Sequence, residues 1–408
     1  LRLNRRTFLG ATLAAGHAPL LAREPALAPA SGWTRTKGGN GGQVLRVTSL
    51  ASEGPGTLRA ALETTGPRRI VFAVAGVIDL GRKSLSIREP FVTIAGESAP
   101  SPGITLIRGG ISVSAHDVVI RHIRVRAGAD GAAPKSGWEV DGLSTTAAHD
   151  VIVDHCSFAW ATDENLSASG PRFAGGDTVE AWRQHTSRRI SFTHNIVAEG
   201  LSNSSHAKGE HSKGSLIHDN VTEVLIAGNL YAHNYERNQL FKGGAHALTA
   251  NNLIYDPGNR CMHYALNEEE WAGHPWAVGM LAIVGNVVRG GASTRENLPF
   301  LILEGQGDLE LFDRDNIFTL SGGRPMVPIE VISNRKPKII PLTRPPFWPE
   351  GFKARPARQV EKWVLAQAGA RPWERDAVDK RIVTEVRTGA GRVIDDEREV
   401  GGYATAGR

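Results

Sequence analysis

One six-residue shape recurs along this chain and leaves few folds open to it. Val118-Val119-Ile120-Arg121-His122-Ile123 matches Val151-Ile152-Val153-Asp154-His155-Cys156. The same shape returns in Ile190 to Asn195, Val224 to Asn229, Ala247 to Asn252, Ala282 to Asn286 and Phe312 to Asn316. Its last residue falls at positions 123, 156, 195, 229, 252, 286 and 316, roughly every 30 residues, a period that signals a repeat architecture. No helical pattern fills the gaps, which removes the tetratricopeptide, ankyrin and armadillo solutions. A four-stranded propeller blade needs roughly 40 to 50 residues and fits poorly. Short strands once per repeat fit a parallel β-helix, in which each coil stacks on its neighbour and closes a shared core. Asparagines at 195, 229, 252, 286 and 316 then stack one coil apart, where side-chain amides can bond along the axis and satisfy turn backbone.

The flanks differ from the repeats. Asn4-Arg5-Arg6-Thr7-Phe8-Leu9-Gly10 reads as a twin-arginine export signal, with small residues at Ala22, Ala26, Ala28 and Ala30 offering cleavage points. Its apolar run is broken by Gly16, His17 and Pro19 and is too short to span a bilayer. The expected organisation is a signal over residues 1–30, a β-helix over 31–330 and a tail over 331–408. Before the repeats, Leu45 to Leu50 leads to a short capping helix at Thr57 to Leu62. Ile70 to Val74 and Phe91 to Ile94 are predicted as the first strands. Such a cap covers the bare strand edge of an open solenoid end. After Pro325 the pattern stops. Residues 337–349 read as a proline-rich linker, and helices are predicted at Arg358 to Gln367 and Asp376 to Val386. This tail is expected to pack on the solenoid.

Composition narrows the partners. The 46 glycines in 408 residues suit short strands with frequent turns. Two cysteines, Cys156 and Cys261, form no disulfide framework, and Cys156 reads as a small buried apolar residue. A net charge of +5 and a pI near 9.3 lend weak support to a polyanionic ligand.

Charged residues concentrate on consecutive coils: Glu139, Asp141, Asp154, Asp163 and Glu164, then His206, Lys208, His211 and Lys213, then Arg237 and Lys242. Equivalent positions lie roughly 4.8 Å apart per coil, so the acids and bases form one site with an acidic and a basic end. Carboxylates at one end can hold a hard cation such as Ca²⁺, and Lys and Arg at the other can grip an acidic ligand. Plainer readings stand beside this. Asp154 and His155 can simply close a strand, Asp163-Glu164 can be a solvated turn, and Arg237 can pair with adjacent Glu236. His206 and His211 lack a compact third ligand in sequence, which argues against histidine metal ligation.

The chain resembles the pectate lyases of polysaccharide lyase family 1 from about Gly38 to Gly322. The marks are Val151-Ile152-Val153-Asp154-His155, His211-Ser212-Lys213-Gly214-Ser215-Leu216-Ile217, Arg237-Asn238-Gln239 and Asn251-Asn252-Leu253-Ile254-Tyr255, in the family's order. Glu399-Val400-Gly401-Gly402-Tyr403 is similar to the family's bacterial C-terminus. The resemblance implies an all-β, single-stranded right-handed parallel β-helix and Ca²⁺-assisted β-elimination on a uronate polymer. It implies Asp141, Glu139, Asp163 and Glu164 as Ca²⁺ ligands and Lys213 as the carboxylate-binding cation. Arg237 would be the proton acceptor, and Lys242 would stand where a second arginine is usual. Lys208 and His211 join the expected substrate-binding set, and the implied partner is an acidic polysaccharide, with no nucleic acid or membrane, for a monomeric chain. Three departures stand out: Ser167 replaces a carboxylate, Gln239 replaces a proline, and Ala168 to Arg188 is a long insertion expected to reshape one wall of the cleft. A polygalacturonase-like hydrolase and a non-catalytic uronan-binding β-helix remain the alternatives.

Overall fold

A computed structural model describes residues 32–403; the export-signal reading lies outside these residues. Three all-parallel sheets of eleven, nine and nine strands run through the described residues. Each coil contributes one strand to each sheet. Val118–Arg121, Ile123–Arg126 and Leu143–Thr146 make one coil; His149–Asp154, Ser157–Ala159 and Glu164–Ser169 make the next. The repeated sequence shape is the strand of the eleven-stranded sheet plus the corner after it. Inward side chains such as Val151, Val153, Phe158 and Leu166 fill a continuous core that runs the length of the stack.

That corner explains the motif's last two positions. The penultimate residue takes a left-handed backbone in every unit: His122, His155 and His194 at φ 56, 51 and 54°, then Gly228, Asn251, Gly285 and Asp315 at 72, 56, 65 and 55°. One left-handed residue turns the chain between sheets, at low cost only for Gly, Asn, Asp or His. The final position carries the ladder. Asn195 Nδ2 donates to Asn229 Oδ1 (3.0 Å), Asn229 to Asn252 (2.9 Å), Asn252 to Asn286 (2.9 Å) and Asn286 to Asn316 (3.1 Å). The Cys156 amide closes the column by donating to Asn195 Oδ1 at 2.8 Å. Both cysteines are free and buried.

Asp154 and His155 are architectural, in line with the plainer reading. Asp154 accepts from His155 Nδ1 (2.9 Å), His194 Nδ1 (2.8 Å) and Thr193 Oγ1 (2.7 Å). The rings of His122, His155 and His194 stack in a column, with centroids 5.2 and 4.5 Å apart. Trp373 and Trp363 from the C-terminal segment close over its two ends.

The ladder is longer at both ends than the sequence pattern. Gln43–Val47 is already a strand, paired with Arg68–Phe72. Val327–Ile332 and Ile339–Pro341 extend two sheets beyond residue 330, into the stretch read as linker. The exit strand Val327–Ile332 is mostly exposed and carries a proline, so no buried alternation marks it. Helix Leu58–Leu62 caps the entry, with Thr57 Oγ1 accepting the Ala60 amide and Leu58, Ala61 and Leu62 buried. Helices Val360–Gln367 and Ala377–Thr388 lie across the middle coils, where Val360, Val364, Ile382 and Val386 pack on Ile196, Leu230, Leu253 and Tyr255. Asp379, fully buried, takes Arg126 (2.5 Å) and the Ser157 hydroxyl (2.7 Å).

Candidate functional site

The charged residues converge on the nine-stranded sheet containing Leu143–Thr146, Glu164–Ser169, Lys213–Ile217, Glu236–Lys242 and Met262–Leu266. Glu164, Lys213 and Glu236 are direct partners across three successive strands. At roughly 4.8 Å per step, neighbouring side chains in such a row touch. Lys213 Nζ donates to Glu236 Oε2 at 2.5 Å, and Glu236 Oε1 takes Arg260. Arg237 pairs with Glu164 rather than with its neighbour Glu236, which corrects the adjacent-pair reading.

The backbone explains this aim. Register slips between Ser215 and Leu216, so that Gln239 is an extra residue opposite them. A bulge of this kind re-aims the side chains beside it. Arg237 sits at φ 51° and Gln239 at φ 121°. Proline is fixed near −65° and cannot take the Gln239 conformation. The departure from the resemblance is thus matched by a change of backbone, with Gln239 Oε1 accepting from Thr249 Oγ1 at 2.6 Å.

Asp141, Asp163 and Glu164 hold carboxylate oxygens within 4.8 Å of one another. Asp141 Oδ1 accepts the Glu164 amide at 3.0 Å. Ser167 Oγ is buried with no hydrogen-bond partner, and Glu164 Oε1 is buried against the Arg237 guanidinium. Burial and the neighbouring Asp163 charge push the Asp141 carboxyl up to about 7. Burial works the same way on Asp163, but the His211 hydrogen bond and nearby positive charge outweigh it and hold that carboxyl below its ordinary value. Three carboxylates converging within this distance, two of them crowded enough to raise Asp141, form an all-oxygen donor set that fits a divalent cation such as Ca²⁺. Glu139 is turned away: its Oε1 accepts the Ala207 amide (3.1 Å) and lies 3.6 Å from His206 Nε2.

Farther along, Arg237, Lys242, Arg260, Leu240 and His263 line an open cleft of about 530 Å³. Burial lowers the Arg237 guanidinium from its ordinary value, while the Asp163 and Asp141 charges pull the other way. Burial would raise Glu236, yet the Lys213 and Arg260 charges bring it down to about 2. Lys242 is ion-paired with Glu270 and lies 3.6 Å from Asp219. The insertion supplies Arg172 to the same network, 2.9 Å from both Asp219 and Glu270. Its helix, Val179–His185, buries Trp182 edge-on against Trp271, beside the Glu270 of that network. Lys208 is exposed on the 199–212 loop, where its amide donates to His206 Nδ1. Arg260 and His263 escaped the sequence reading. Carrying the phase of Arg237 one coil further reaches both, since Leu240 pairs with His263.

Comparison with known proteins places the chain among enzymes of one kind. It is 31% identical over 371 residues to a probable pectate lyase C of Neosartorya fischeri, across 90% of this chain and 78% of that relative. A probable pectate lyase C of Emericella nidulans is 32% identical over 368 residues, with 90% and 76% covered. Among solved structures, the cedar pollen allergen Jun a 1 shares the fold with a TM-score of 0.55 at 16% identity, covering 82% of this chain and 90% of that one. A pectate lyase of Bacillus sp. N165, in complex with trigalacturonate, does so with a TM-score of 0.53 at 14% identity, covering 82% and 95%. No protein-family model matches the chain.

Proposed function

Since the chain belongs to the pectate lyase family, polysaccharide lyase family 1, we propose that it cleaves pectate or a related uronan by β-elimination on the face built around Arg237 and Lys213. The observation that carries this reading is the direct row Glu164, Lys213, Glu236 with Arg237 bent back onto Glu164 by a bulge.

The C5 hydrogen of a uronate is acidic only when the C6 carboxylate next to it is neutralised. Lys213 would take that carboxylate, exchanging its bond to Glu236 for one to substrate while Arg260 keeps Glu236 compensated. Asp141, Asp163 and Glu164 would hold Ca²⁺, which when bound supplies further positive charge beside the same carboxylate. Glu139 drops out of that ligand set because it faces His206. Arg237 would accept the C5 proton on a guanidine nitrogen. A guanidinium is ordinarily charged at all working pH, and burial is the force that moves Arg237 toward a usable base. The C5–H electrons form the C4–C5 double bond, the C4–O bond breaks, and solvent protonates the departing oxygen. Lys242 and Arg260 would seat the next uronate carboxylates along the cleft. His211 beside Asp163 and Lys208 at the rim would meet the other end of the chain. The Arg5-Arg6 pair makes export by the twin-arginine route part of the same reading. The test is formation of the conjugated double bond, followed by ultraviolet absorbance on pectate, methylated pectin and other uronans, with Ca²⁺ and with chelator. Turnover that yields reducing ends without the double bond would overturn it.

A further inference from the structure

One corner, where the chain leaves the nine-stranded working sheet for the eleven-stranded one, carries a second hollow beyond the cleft. Coil after coil, that corner holds the insertion, the Lys242 end of Glu236–Lys242, and then residues 267–278, 306–308 and 333–338. The last three segments enclose about 360 Å³, lined by Trp276, Val278, Gln306, Arg335, Lys336 and Lys338. Gln306 also lines the cleft beside Lys242, and Asn334 of the cleft adjoins Arg335 of the hollow, so the two are continuous. The floor is apolar: Ala277 and Pro337 are buried, while Trp276 and Val278 stay 39% and 37% exposed. The rim is basic. Arg335 lies over the Trp276 ring, 5.7 Å from its centroid, and is tied to Glu268 at 2.8 Å. Among the described residues, the Lys336 and Lys338 side chains have no ion-pair partner. Asp308, the one acid in the lining, accepts the Lys338 amide on Oδ1 at 2.7 Å. Lys336 sits at φ 46°, a left-handed backbone uncommon for lysine.

From this lining we infer a distal uronate-binding subsite, at which Trp276 and Val278 take the C–H face of a sugar ring and Lys336 and Lys338 take its carboxylate. It rests on the uronan reading of the cleft and extends it to a unit of the polymer remote from the reacting bond. A uronate has this divided chemistry, with ring hydrogens forming an apolar side and the carboxylate an anionic edge. An exposed indole beside unpaired ammonium groups answers both. Continuity selects the occupant. The three segments lie one to three coil steps past Lys242, roughly 5 to 14 Å at about 4.8 Å per step. A chain seated over Arg237 and Lys242 reaches the hollow by extending along the same row of corners. A second hold of this kind raises affinity for long chains through effective concentration, without touching the reacting bond. Chains that end before the hollow gain nothing from it.

The test compares wild type with Trp276→Ala and with the double variant Lys336→Gln, Lys338→Gln, as full chains with Ca²⁺, on trigalacturonate, hexagalacturonate and polymeric pectate. On the polymer, Trp276→Ala is expected to raise KM about tenfold and the lysine pair about fivefold. Turnover should stay within about twofold, because the lost binding is shared by ground and transition states. On the trimer, kcat/KM is expected within about twofold of wild type. Trp276→Phe keeps an aromatic surface and is expected to recover most of the KM, whereas a merely structural role would lower rates on every length alike. Retardation in gels cast with pectate reads binding without turnover, and both variants are expected to migrate faster than wild type there and equally without pectate. Unchanged KM and retardation on the polymer, or equal losses on trimer and polymer, would overturn the inference. If Trp276→Ala does not fold, the lysine pair, at exposed positions, decides alone. Failure of the lyase reading looks different: wild type then forms no double bond on any length, and retardation alone decides whether the hollow holds the polymer.

Discussion

Two corners of the same coils do opposite things with polar side chains. At the corner after the eleven-stranded sheet, each ladder asparagine is satisfied by its neighbours above and below, and the histidine column is closed by Trp363 and Trp373. On the face around Lys213 and Arg237, opposite charges also meet, yet Ser167 Oγ and His263 Nδ1 are left buried without hydrogen bonds. Buried polar atoms without partners are costly, and a chain that satisfies every amide on one corner has no general difficulty doing so. The difference marks where the fold supports itself and where it keeps groups ready for something else.

Substitutions should separate the two corners. After Arg237 itself, the largest effect is expected for Lys213→Ala, which removes the proposed carboxylate partner from a buried, hydrogen-bonded pair. Loss of kcat/KM on the order of 10²-fold is expected in initial rates of unsaturated product, with the denaturation midpoint moving far less than the activity. Gln239→Pro joins both properties. The ring cannot adopt φ 121°, so about 3 kcal/mol or more of stability should go, together with activity, in paired denaturant and rate measurements. Asn229→Ala breaks only the supporting corner. It removes two acceptances from Asn195 and two donations, to Phe192 and Asn252. A loss of about 2–3 kcal/mol in urea unfolding is expected, with kcat within about twofold at temperatures where the variant stays folded.

A pH experiment probes the working face alone. Asp141 is raised to about 7 by burial and by Asp163, so the folded chain holds its proton where the unfolded chain has released it. Its contribution to stability is therefore fully present below about pH 4 and lost as pH rises through about 7. Relative to Asp141→Asn, wild type should lose denaturant stability across that window and level off above it; a flat difference would contradict the burial argument. The smallest effect is expected for Lys208→Ala, since the side chain is exposed and its amide makes the recorded contact. Stability should change by no more than about 0.5 kcal/mol, and turnover should show a small rise in KM at most.

The supporting corner was the more legible one in sequence because it repeats. A Gly, Asn, Asp or His followed by Asn recurs at each turn from His194-Asn195 onward, and that period reaches the ladder and the coil stack. The solenoid ends were less legible, since Gln43–Val47 and Val327–Ile332 lack buried alternation and ladder asparagines. The working face was read by residue type and order, which gathered Asp141, Asp163, Glu164, His211, Lys213 and Arg237 but not which of them pair. Pairing of Arg237 with Glu164 depends on a bulge, and a bulge is a backbone event with no composition of its own. Arg260 and His263 lay one coil past the residues singled out. The balance at Arg237, where burial lowers the guanidinium and the neighbouring carboxylates oppose it, is likewise a property of packing that residue type does not carry.

The most direct measurement of the central claim is the rate of double-bond formation on pectate, with Ca²⁺, by Arg237→Ala and Arg237→Lys against wild type. The account expects both variants to fall by roughly 10²–10⁴-fold, the range of a lost general base, while their unfolding midpoints stay close to wild type. Rates within a few-fold of wild type, from folded variants, would contradict it and move the chemistry off Arg237.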